Sequence, residues 1–372
     1  MKVMTPHYYK DFRCIAGACT DTCCAGWDVD VDKNSYKYYK TVKGAFGKRL
    51  KSVMVLSQDG ECTFTLKEGG RCPFLNDDNL CDLYIELGED KLCETCAEFP
   101  RFINDYGNIR EIGIAPSCKT AGELMLSYKD ELTFDTVEDN SLTPEPNDID
   151  AYTYMQLRQA RIVAFGIISD RDISIFERLM LYLDYAKRIQ KHLDAERDEL
   201  IAGVAKRFCG ADYREELLDR LKSRDEKLHG KRLIKGLRHF FDDFKGMEVI
   251  NPDWNIHVAR VRQFLDGLTD DSGLAAVMKT YHAGSEAFAH EYEQLAMYYV
   301  YRYMLDAVND YDILLKAKNA VIGILAVDIM AAANQASGCM PDFTMRVDIA
   351  HLYSRQFEHS YYNMKFIEST LA

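Results

Sequence analysis

Ten of the twelve cysteines in this 372-residue chain lie before position 119. The stretch "FRCIAGACTDTCCAGWDVDVD" (12–32) alone holds Cys14, Cys19, Cys23 and Cys24, and Cys62, Cys72, Cys81, Cys93, Cys96 and Cys118 follow. Thiols gathered in this way form disulfides in an oxidising compartment, and metal or redox centres in a reducing one. The opening "MKVMTPHYYKDFRC" has no apolar run of the signal-peptide kind, so a cytoplasmic chain is expected. On that expectation the thiols read as metal or iron–sulfur ligands.

Spacing narrows the chemistry only partly. Cys93-x2-Cys96 suits a short loop that brings two sulfurs to one metal. Adjacent Cys23 and Cys24 do not, because neighbouring side chains rarely point at one small ion. That pair would bridge a polynuclear centre, or one of its thiols would be buried. Two four-coordinate zinc ions and one four-thiolate iron–sulfur cluster both fit within the available thiols. The radical-enzyme spacing C-x3-C-x2-C is absent, since Cys19-x3-Cys23 is followed by Cys24 and Gly26. The expected ligands are Cys14, Cys19, Cys23, Cys24, Cys72, Cys81, Cys93, Cys96 and Cys118.

Charge and hydropathy divide the chain into three zones. Residues 1–125 carry the cysteines. Residues 126–150 carry over half of the net charge of −13, together with Pro144 and Pro146, and read as an acidic linker. Residues 151–372 are helical in pattern: Phe176, Leu179, Met180, Leu183, Ala186 and Ile189 fall on one face. The most apolar stretch, 313–333, contains Lys316, Lys318, Asn319 and Asp328, so it predicts a buried helix and not a membrane span. The acidic balance speaks against nucleic-acid binding, which needs a cationic face.

Within the first zone, "GECTFTLKEGGRCPFL" (60–75) suggests a hairpin turning at Gly69–Gly70. "YIELGEDKLCETCAEFPRF" suggests a helical turn, a loop at Gly88 and a short helix ending before Pro100. The expected fold is mainly α, with a cysteine-rich α+β N-terminal metal-binding domain packed on an all-α helical domain. Among other polar candidates, Asp21 reads as a partner of loop amides or of a metal ligand, and Asp28, Asp30 and Asp32 as one solvated strand face. His7, His351 and His359 are not expected to be ligands. The tyrosines of "YYVYRYM" (298–304) are read as packing between helices. No G-x-S-x-G, P-loop or strand-bound G-x-G-x-x-G occurs to support a hydrolase, an NTPase or a Rossmann-type site.

The order C-x4-C-x-D-x-C-C-x-G-W (14–27), then "CPFL" with a cysteine nine residues on (72–81), then "LGEDKLCETCAEFPR" (87–101), resembles the flagellin lysine-N-methylase family. The resemblance covers residues 7 to about 122 and is only general over the helical remainder. Where the family has Ser-Cys-Pro this chain reads Pro116-Ser117-Cys118-Lys119, and for Tyr-Pro-Arg it reads Phe99-Pro100-Arg101. The resemblance implies a [4Fe-4S] cluster and methyl transfer from S-adenosylmethionine to lysines of a protein substrate, flagellin in the family. With those cofactors in mind, Arg101 is a candidate to clamp the methionine carboxylate or neutralise the cluster, and Trp27 a candidate platform for adenine. The alternative expectation is a non-catalytic zinc- or iron-binding module whose helical domain binds a partner. On the methyltransferase expectation the acidic segment borders the substrate entrance and steers lysine-rich protein toward the site; the other reading is a plain solvated linker.

Overall fold

The computed structural model describes residues 1–144, 148–228 and 232–371. The chain begins with β1 (Lys2–Pro6) and then builds a small lobe. That lobe contains β2 (Asp30–Val31), α1 (Lys33–Thr41), α2 (Gly44–Val53), β3 (Met54–Leu56), β4 (Cys62–Phe64), α3 (Asp82–Leu87) and α4 (Glu94–Glu98). The chain returns through β5 (Arg101–Tyr106), β6 (Ile109–Ile114), α5 (Lys119–Ser127) and β7 (Phe134–Glu138). The helical body follows with α6 (Ala151–Ile168), α7 (Ile175–Leu193), α8 (Ile201–Phe208), α9 (Ala211–Leu228), α10 (Arg232–Asp243) and α11 (Asp253–Asp266). It closes with α12 (Asp271–Ser285), α13 (Ala289–Tyr303), α14 (Ala307–Asp310), α15 (Ile313–Ala336), α16 (Phe343–Glu358) and α17 (Tyr361–Leu371).

The mainly-α expectation holds, and local chemistry sets the helix starts. Asp150, Asp312 and Asp342 each accept a backbone N–H three residues on, satisfying the free amides that open α6, α15 and α16. Ser174 and Glu177 close a reciprocal capping box at the start of α7. The apolar stretch around 313–333 is α15, buried on most of its surface and packed against α7, α11, α13 and α16. Among the described residues no helix is long and apolar enough to cross a membrane. The break at Gly88 (φ 90°) and the short α4 after it also follow the sequence pattern.

The buried apolar residues divide into two cores. One gathers Val29, Val31, Tyr39, Leu50, Phe64, Phe74 and Leu83 with Cys62, Cys72 and Cys93 in the small lobe. The other joins the helices to a four-stranded sheet of order β5-β6-β1-β7, in which β1 runs parallel to β6 and antiparallel to β7. This sheet lies against α6 and α13. The Tyr301 hydroxyl donates to Met4 O at 2.7 Å, and the Arg161 guanidinium forms a fully buried pair with Glu111. The strands flanking the small lobe in sequence therefore belong in space to the helical body.

Two sequence expectations shift locally. The hairpin does not turn at Gly69–Gly70. β4 pairs with β3 across a turn in which Gly60 (φ 83°) donates to Ser57 O, and with β2 on its other side. Gly60 supplies the left-handed backbone that so short a connection requires. Gly70 instead accepts from Gly26 N, returning the chain to the cysteine loop. In the acidic segment, residues 134–138 form β7, which pairs along the whole of β1. There Asp135 meets His7 at 3.0 Å, while Glu145 lies outside the described residues.

Candidate functional site

Adjacent Cys23 and Cys24 are hydrogen-bonded to each other, and each also lies beside a different set of thiols. Cys14, Cys19, Cys23 and Cys118 feel one another's charge and form the first group. Cys24, Cys72, Cys81, Cys93 and Cys96 form the second, at the core of the small lobe. Backbone hydrogen bonds explain the second gathering: Cys72 N donates to Cys24 O at 2.8 Å, and Leu75 bridges to Cys81. Cys93 opens α4, and its Sγ is hydrogen-bonded to that of Cys96 one turn on. In the first group, Cys118 comes from the turn before α5 and packs on the helical core. Cys62 is buried in β4 beside Cys93.

Burial sets most of the thiol acidities. It pushes Cys72 up to about 12 and Cys118 up to about 11. Cys24 and Cys93 are exceptions: Cys24 is drawn down to about 7 by its hydrogen bonds with Cys23 and Thr22 and, more weakly, by Arg355 and Arg71, and Cys93 is lowered by its hydrogen bond with Cys96. Neutral thiols are thus favoured at most positions, and a bound cation would reverse that preference. All these cysteines are free, and soft thiolates are the donors that zinc and iron–sulfur centres take. Among the described residues, however, no three His, Cys, Asp or Glu side chains could hold one metal ion as they stand.

The loop that carries Cys19 and Cys23 is fastened to the helical body through Asp21. Its carboxylate meets His351 Nε2 at 2.8 Å, Arg355 Nη1 at 2.7 Å and Asn251 Nδ2 at 2.8 Å. Burial would raise the Asp21 carboxyl, but the His351 hydrogen bond and the Arg355 charge outweigh it and hold the group below its ordinary value. The other His351 nitrogen faces Pro116 O at 3.1 Å. Arg355 also donates to the carbonyls of Thr22 and Ala25. At Gly26 (φ 88°) a Cβ would stand 2.7 Å from Ile250 O, so only glycine lets the loop approach the helical body this closely.

The other sequence candidates have mixed placements. Trp27 Nε1 donates to Cys23 O at 2.5 Å, and its ring packs edge-on against His359 at 4.7 Å and beside Phe99. Arg101 Nε donates to the Tyr9 hydroxyl at 2.9 Å, with its guanidinium over Phe12, so its contacts are with the segment that follows β1. Asp32 caps α1 and takes a further bond from Glu94 N. Sequence reasoning missed His351 and Arg355. Both sit on a helix with no motif of its own, and their partner lies 330 and 334 residues earlier.

Over 135 residues, 35% of the chain, it is 29% identical to the flagellar biosynthetic protein FliU of Salmonella muenchen, covering 80% of that protein. Over the same length it is 28% identical to the lysine-N-methylases of Salmonella choleraesuis and Salmonella typhimurium. It spans about a third (34%) of those two enzymes. No solved structure matches it. The family model for the FliB lysine N-methylase C-terminal domain matches residues 161–372. That is the helical body, the part whose sequence motifs were least distinctive. With more than half its length matched, the chain belongs to the FliB lysine N-methylase family.

Proposed function

We propose that the protein is a protein-lysine N-methyltransferase that uses S-adenosylmethionine and a [4Fe-4S] cluster, with flagellin as its substrate. One observation carries this reading. The loop bearing Cys19 and Cys23 is held by Asp21 onto helix α16 of the domain that matches the methylase family. Thiols and family domain therefore meet in one place.

Cys14, Cys19, Cys23 and Cys118 would hold the cluster, since they lie at the junction of the lobes. When bound, it would supply an electron-rich metal centre for S-adenosylmethionine chemistry. The chain's own residues do the positioning. Asp21, His351 and Arg355 fix the loop, and Arg355 places a permanent positive charge beside both thiol groups. Trp27 holds the Cys23 carbonyl and keeps that thiol's backbone in place. The buried second group, with its Cys93–Cys96 pair, would form a closed structural centre only after its side chains rearrange, and would then stabilise the small lobe.

The test is methyl transfer from labelled S-adenosylmethionine to flagellin by protein purified without oxygen. Methyl-lysine in the product and visible iron–sulfur absorption of the enzyme are expected. Fully iron-loaded protein that transfers no methyl group to flagellin would defeat the reading.

A further inference from the structure

The helix that carries "YYVYRYM" does more than pack. Tyr298 and Tyr301 point into the core, whereas Tyr299 and Tyr303, stacked with ring centroids 6.0 Å apart, line a cavity of about 260 Å³. The cavity is enclosed by α13, the turn through α14, α15, α16 and α17. Tyr353 and Phe357 complete its aromatic wall. Pockets that bury drug-sized ligands measure ~300–1,000 Å³, so this one suits a side chain better than a nucleoside cofactor.

Its polar lining is acidic. Asp306, Asp310, Glu358 and Glu368 face a single lysine, Lys316, which is paired with Asp310. Glu358 is saturated: it accepts from Tyr303 at 2.7 Å, from Tyr298 and Ser354, and pairs with Arg302. Glu368 is held by Lys365. Among the described residues no ion pair forms at Asp306. Asn319 also lines the cavity, and its buried Oδ1 has no hydrogen-bond partner. Asp306 has Lys316 and Arg302 within electrostatic reach and the Tyr106 hydroxyl beside it, so the unsatisfied Asn319 oxygen is the lining group that asks for a donor. Aromatic faces next to carboxylates are the surroundings in which an alkylammonium is stabilised.

We propose that this cavity receives a lysine side chain of the protein substrate, its alkyl chain along Tyr299, Tyr353 and Phe357 and its amine at Asp306 and Asn319. The assignment rests on the methyltransferase reading for its biological sense and on the lining for its chemistry. A chain of neighbours links the cavity to the cysteine loop: Glu358 lines the cavity, and the next residue, His359, packs on Trp27, which bonds the Cys23 carbonyl. Burial raises the Asp306 carboxyl; Lys316, Arg302 and the Tyr106 hydroxyl oppose the rise, and Asp310 reinforces it.

The test compares Nα-acetyl-lysine methylamide with its norleucine analogue, using saturation-transfer NMR on the full chain, which reads millimolar binding. The lysine compound should bind and the norleucine compound should fail to displace it. Asp306→Asn should weaken lysine binding about tenfold or more, the scale of one charge-assisted hydrogen bond. Asn319→Leu gives a second reading should the first variant fold poorly. Equal binding of the two compounds, or lysine binding unchanged in both variants, would overturn the proposal. Methyl transfer to flagellin is measured alongside. Unchanged lysine binding in the variants of an active methylase would remove the cavity alone. Asp306-dependent lysine binding by a protein that never transfers methyl would remove the methylase reading and keep the cavity.

Discussion

Asp21 and His351 lie 330 residues apart in the chain and 2.8 Å apart in the fold. Their contact, shared with Arg355, is the polar fastening between the cysteine loop and the family domain. The Arg355 and His351 side chains are almost fully buried, at 6% and 2% exposure. Loss of the carboxylate therefore strands positive charge in the interior.

Asp21→Ala is accordingly expected to destabilise the protein by about 3 kcal/mol, the cost of breaking a buried pair from one side. Limited proteolysis should also cut the 12–32 loop faster. Urea unfolding together with a proteolytic time course checks both effects. A variant as stable and as resistant as the parent would show that the junction is held elsewhere.

The division of Cys23 from Cys24 gives a metal-content prediction. Cys118→Ser should abolish the visible iron–sulfur absorption while leaving the small lobe folded. Cys81→Ser should leave that absorption and lower the thermal stability of the small lobe. Iron and zinc analysis after anaerobic purification reads the first effect, and circular-dichroism melting reads the second. Loss of the absorption in both variants would merge the two groups into one centre.

The buried Arg161–Glu111 pair ties the sheet to α6. Glu111→Ala leaves the guanidinium without its carboxylate and should cost about 3–5 kcal/mol. Replacing both residues by leucine or methionine should cost less, because no charge is then stranded. Chemical denaturation of the single and double variants decides the matter.

His359 carries a pH signature. Burial pushes its pKa down from 6.5 to about 4, so between those values the unfolded chain takes up a proton that the folded protein refuses. Its contribution to stability is intact above about pH 6.5 and is lost as the pH falls through the window to about 4. The loss is on the order of 3 kcal/mol at the acid end. His359→Phe keeps a ring against Trp27 and should remove this part of the acid sensitivity. Unfolding free energies from pH 4 to 7 measure it, and identical pH profiles for the two proteins would contradict the assignment.

The sequence by itself determined the features that depend on near neighbours. The 3–4 spacing of Leu179, Ala186 and Ile189 specified α7, the apolar run at 313–333 marked α15 as buried while its charged residues argued against a membrane span, and Gly88 marked the break before α4. The cysteine spacing also carried the family likeness, because ligand loops are short. Tertiary structure decided the rest. Nothing local shows that Cys118 joins Cys14, Cys19 and Cys23, or that Cys24, bonded to its neighbour, also lies beside Cys72. The hairpin partner of β4 was likewise chosen by the Gly60 turn and by burial of Phe64, not by the more conspicuous Gly69–Gly70. Periodicity reports which face of a helix is buried, but not what covers it. Asp21 finds His351, and Tyr299 faces a cavity while Tyr298 enters the core, only when helices distant in sequence pack together.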